Sequence, residues 1–104
     1  MAWENETAAV AFGLKVLVPC RSKRQARQWL VDMAEDRRDM EADPQRSLVR
    51  CKSGGFAHFA WRDEQVIGME YHEAMGPVAD VAGVSDLMRS RVRLSETQGD
   101  TDER

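Results

Sequence analysis

The chain has 104 residues, 42% apolar and 32% charged, with a formal net charge of −3. That length suits one domain and excludes two. Its apolar runs reach only four or five residues, as in Val16–Cys20, which excludes a membrane-spanning helix of about 20 residues. The charge is unevenly spread, −2 over residues 1–14, +4 over 15–52 and −5 over 53–104. Such bipolarity favours oriented association with a charged partner over blanket affinity for nucleic acid.

In chain order, "MAWENETAAVAFG" carries acidic residues where a secretory signal would be basic, so a cytoplasmic location is expected. Residues 1–8 are expected to fray, with Trp3 among them. Leu14–Pro19 reads as a strand, because Pro19 forces extended geometry on Val18 and then ends the run. A helix follows. Ser22 is placed to cap it and Gln25 to complete a capping box. Ala26, Trp29, Leu30, Met33 and Ala34 form one apolar stripe of helical period, with Met40 extending it, and Asp43-Pro44 predicts the stop.

Three strands are then predicted, Ser47–Lys52, Phe56–Trp61 and Val66–His72, with Ser53-Gly54-Gly55 turning between the first two. Alternation puts Ala57, Phe59 and Trp61 on the core face, and Phe56 and His58 on the opposite one. Ile67, Met69 and Tyr71 share a face of the third strand. A four-residue connection would set the two triplets on opposite faces, so an odd loop or a bulge is expected. Gly76-Pro77 predicts a second helix with a stripe of Val78, Val81, Ala82, Ser85 and Met88. "SETQGDTDER", from Ser95, is polar and acidic and reads as a disordered tail. The order β-α-β-β-β-α over residues 9–94 predicts a single two-layer α+β domain: a three- to four-stranded, mainly antiparallel sheet with helices on one face.

The first helix breaks a local rule. Arg21, Lys23, Arg24 and Arg27 crowd its amino end, and Asp32, Glu35, Asp36 and Asp39 its later half. Both sets oppose the helix dipole, at about 0.3–1 kcal/mol per exposed group, and Lys23 and Arg27 are like charges four apart. Local penalties gathered in one place mark a candidate docking surface for carboxylate or phosphate groups. The bland explanation is that exposed arginines cost little, that Arg37 and Arg38 offset the acidic end, and that an arginine-rich composition supplies them freely. A second candidate surface is the outer sheet face, with Arg50, Lys52 and His58, suited to a partner or to homodimerisation; the bland explanation is a solvated face.

Chemistry is harder to find. Strand, Cys20, loop and helix is the layout of phosphate-transferring cysteine enzymes, but Ala26 stands where their arginine is needed and the loop has no glycine. A redox-sensitive Cys20 activated by the arginines is an alternative to a plain buried thiol. Cys20, Cys51, His58 and His72 lack the paired spacing of a zinc site, and two cysteines make no disulfide framework. Ser–His–Asp groupings and glycine-rich phosphate loops are absent, so no catalytic residue, metal or cofactor is expected. The expected function is a small non-catalytic module, a regulator, inhibitor or accessory subunit, that binds an acidic protein partner. Nucleic-acid binding is the alternative, since helix, three strands, helix is also the order of double-stranded RNA-binding domains. Against it, the net charge is negative and no lysine cluster opens the second helix. A small enzyme or ligand-binding protein using Cys20 is the third reading.

Overall fold

In the computed structural model the described residues are 3–35, 37–77, 88, 91 and 92. Strand β1, Lys15–Pro19, organises them. Val16 and Val18 point to one side and Leu17 and Pro19 to the other, and all four are buried. A strand apolar on both faces belongs inside a sheet, where parallel neighbours are common. β1 indeed lies between two parallel partners, β4 (Phe56–Ala60), in register Lys15 to Phe56, and β5 (Glu73–Ala74), in register Val16 to Glu73. On the far side of β4 run β3 (Leu48–Cys51) and β2 (Met40–Asp43), each antiparallel to its neighbour. The sheet is five-stranded and mixed, in the order β2-β3-β4-β1-β5. Helices α1 (Glu4–Ala11) and α2 (Lys23–Glu35) both pack on one of its faces.

The α+β class stands as expected; of the two predicted helices only α2 lies within the described residues, and Met88 of the second packs in the core on the opposite face of the sheet. The sheet is not the predicted three to four mainly antiparallel strands, and the order differs from β-α-β-β-β-α in three places. First, residues 3–8 are not frayed. Trp3 is 2% exposed and meets Trp29 and Phe59 edge-on, with ring centroids 5.5 and 5.8 Å apart. The Thr7 hydroxyl donates to the Trp3 carbonyl at 2.8 Å, and Glu4 and Glu6 suit the dipole in the first turn of α1.

Second, α2 ends at Glu35, and Met40 opens β2 instead of extending the helix. Asp43-Pro44 therefore ends a strand. Residues 44–47 form a hairpin turn, with Ser47 at φ 59° and the Arg46 N–H reaching Asp43 Oδ1 at 3.4 Å. "MEAD" favours helix by propensity; cross-strand pairing with β3 overrides it.

Third, Val66–His72 is not a strand. Asp63–Val66 is a short 3-10 turn, in which the Gln65 Oε1 accepts from the Trp61 and Arg62 N–H groups at 2.7 and 2.9 Å. Gly68 at φ +81° turns the chain, and Ile67 is left exposed. No hairpin with an odd loop is made; the chain crosses the sheet face and returns as β5 beside β1. Tyr71 makes an isolated parallel bridge to Val92. The predicted second helix and the acidic tail lie outside the described residues, apart from Met88, which is helical and buried, and from 91 and 92.

Two cores result. Trp3, Val10, Val16, Val18, Leu30, Met33, Val49, Ala57 and Phe59 fill the space beneath the helices. Leu17, Ala60, Val66, Tyr71 and Met88 fill the other face. Gly55 joins α1 to the sheet: a side-chain methyl there would overlap the Val10 and Leu14 carbonyl oxygens.

Candidate functional site

The carboxyl ends of β1, β4 and β5 lie along one edge, because the three strands are parallel. Cys20 to Ser22 leave β1 at that edge and turn into α2. Ser22 Oγ accepts from the Gln25 N–H at 3.1 Å, the expected cap, while Gln25 Oε1 accepts from the Arg21 N–H at 2.8 Å instead of the Ser22 N–H that a capping box would use. The two bonds fix the entry of α2 and spread Arg21, Lys23, Arg24 and Arg27 into solvent. All four are exposed, and none has a side-chain ion pair or hydrogen bond among the described residues.

Other cations are placed differently. Arg37 grips Asp39 through two contacts of 2.9 and 3.0 Å, and its guanidinium holds the Asp39 carboxyl below the usual carboxylate range. Arg50 reaches Asp43 Oδ2 at 3.0 Å along the β2–β3 hairpin. The structure also separates Arg50 and Lys52 from the α2 cluster. Arg50 pairs with Phe56 at the start of β4, whereas α2 departs beyond Pro19, whose neighbour is Ala60 at the other end of β4. At about 3.3 Å per strand residue, more than 10 Å of sheet lies between them. The basic residues singled out in the sequence thus form two groups, with Arg50 in an ion pair and the α2 group in none among the described residues.

His58 corrects the expectation of an exposed sheet face. Alternation puts it on the side away from the helices, but the chain after β4 covers that side and leaves it 4% exposed. Its Nδ1 lies 2.6 Å from the Tyr71 hydroxyl, and the two rings stack 5.9 Å apart. The two groups share one buried hydrogen bond, whose direction is set by the imidazole tautomer. Burial pushes the His58 pKa down to about 4 and the Tyr71 phenol upward, and both stay neutral near pH 7. His58 therefore offers no charge to a partner surface. Tyr71 was invisible as its partner because 13 residues and a chain crossing separate them.

Cys20 is buried, its thiol 3.4 Å from the Val18 carbonyl oxygen, and burial pushes its pKa up to about 12. The neighbouring arginines extend into solvent and do not generate a thiolate, so the geometry is that of a packed structural cysteine. Cys51 is half-buried, 3.7 Å from Asp39. Among the described residues no group of three His, Cys, Asp or Glu side chains is placed to hold a metal, and no helix is long and apolar enough to cross a membrane. Compared with family models, with curated proteins and with solved structures, the chain matches none.

Proposed function

We propose that the protein is a non-catalytic binding module that docks an acidic protein surface on the amino-terminal turns of α2. The observation that carries this reading is the crowding of four exposed, unpaired cations at one helix end among the described residues. Arg37 and Arg50 have carboxylate partners, while Arg21, Lys23, Arg24 and Arg27 stand exposed with none among the described residues. The helix dipole adds positive potential at that place. An acidic protein suits it better than a nucleic acid, because a long polyanion would also meet the excess of negative charge carried by residues 53–104.

Affinity capture from host lysate tests the reading, with the wild type, a Lys23→Ala/Arg24→Ala/Arg27→Ala variant and Arg50→Ala side by side. The triple variant should lose an acidic protein that wild type and Arg50→Ala retain, and rising salt should release it. An unchanged set of captured proteins overturns the docking surface. Filter binding to double-stranded RNA and DNA at two salt concentrations tests the competing reading, since nucleic-acid binding falls steeply with salt.

A further inference from the structure

A cleft of about 480 Å³ opens on the sheet face that the helices leave uncovered, at the mouth of the β2–β3 hairpin. Leu48 and His58, both buried, form its inner wall with the half-buried Met69. Gln65 stands beside them, and the exposed Gln45 and Arg46 form its rim. The wall is mostly apolar and the rim carries a cation, while no carboxylate lines it among the described residues.

Gln65 and Arg46 present donors to the cleft. Gln65 Oε1 is already occupied by the Trp61 and Arg62 N–H groups, which leaves its amide nitrogen as the free end. His58 Nδ1 is taken up by its hydrogen bond with the Tyr71 hydroxyl. The carboxylate nearest in sequence to Arg46, Asp43, is engaged by the Arg50 guanidinium and by the Arg46 backbone N–H. The Arg46 guanidinium itself has no ion pair among the described residues. A cleft with an apolar wall, hydrogen-bond donors and one cation at its mouth is complementary to a ligand with an apolar body and an anionic end.

We propose that this cleft binds a small organic carboxylate, with the carboxylate on Arg46 and the apolar body against Leu48 and Met69. The site is separate from the α2 surface, and neither depends on the other.

Nuclear magnetic resonance titration of the full chain with phenylacetate, and with phenylacetamide as its uncharged counterpart, tests it. Phenylacetate should shift the Leu48 and Met69 methyl resonances and the His58 ring in a saturable way. The amide should bind at least about tenfold more weakly, as should phenylacetate to Arg46→Ala, the loss expected for one charge-assisted contact. Arg46 is exposed, so its truncation leaves the fold in place, which the unperturbed remainder of the spectrum verifies. Arg24→Ala should bind phenylacetate like wild type. Absence of saturable shifts overturns the proposal, as do equal binding of acid and amide or shifts centred on residues 21–27.

Discussion

The two faces of the sheet solve the same burial problem by different means. Beneath the helices the side-chain packing is mainly apolar, and three aromatic rings meet edge to face, Trp3 against both Trp29 and Phe59. On the other face an imidazole and a phenol sit among Leu17, Ala60, Val66 and Met88 and satisfy each other with one short hydrogen bond. The first arrangement derives its stability from area and shape, which pH hardly touches. The second depends on protonation, because its polar atoms are tolerated only while neutral and paired. A molecule built this way has one insensitive face and one that reports on its surroundings.

Substitution at Trp3 probes the first face hardest. Trp3→Ala removes a ring that touches both α2 and β4, and should cost about 3–5 kcal/mol in urea denaturation. A loss below about 1 kcal/mol would mean that the amino-terminal helix is not part of the core.

Acid probes the second face next. His58 has a folded pKa near 4 against an unfolded value near 6.5, so the unfolded chain takes up the proton more readily. The stability that neutral His58 permits is complete above about pH 6.5 and declines as pH falls toward 4. The loss is on the order of 3 kcal/mol. Urea midpoints measured across that range should fall less steeply for His58→Gln than for wild type, since carboxylate protonation is common to both. Parallel curves would show that the imidazole is not buried.

Tyr71→Phe is a milder change on the same face. It keeps the ring and leaves buried His58 Nδ1 without its hydrogen-bond partner, at a cost of about 1–3 kcal/mol. The His58 ring resonances should move as well. No change in either would dissolve the pair.

The smallest effect on stability is expected from Lys23→Ala/Arg24→Ala/Arg27→Ala. Among the described residues these side chains make no ion pair or hydrogen bond, so denaturation midpoints should stay within about 0.5 kcal/mol of wild type. A clear destabilisation would place the cations in internal contacts and remove them from the binding surface.

Legibility followed periodicity. α2 was readable from Ser22 and Gln25 to Met33 because its apolar stripe recurs at helical spacing, and β1, β3 and β4 because their runs are short, apolar and bounded by Pro19, Pro44 and Gly55. α1 was not, because its apolar face is little more than Trp3 and Val10, with alanines elsewhere. β2 was hidden by helix-favouring Met40, Glu41 and Ala42, and β5 by its length of two residues. At the candidate surfaces, the sequence could not say whether Arg21, Lys23, Arg24 and Arg27 face solvent or pair internally, because that depends on which carboxylates the fold brings near them. The burial of His58 could not be read locally, since it depends on where residues 63–71 cross the sheet and on Met88 from farther along the chain.

The position of β1 between two parallel neighbours also bears on how the chain is made. Its partners are Phe56–Ala60 on one side and Glu73–Ala74 on the other, so the strand emerges from the ribosome long before either. The β2–β3–β4 meander is contiguous and closes on itself early, while an apolar β1 waits, with loop-closure entropy opposing its insertion. During that interval VLVP is exposed to chaperones and to other nascent chains. Synthesis slowed before residue 74 should therefore lower the yield of native protein more than an equal delay after it.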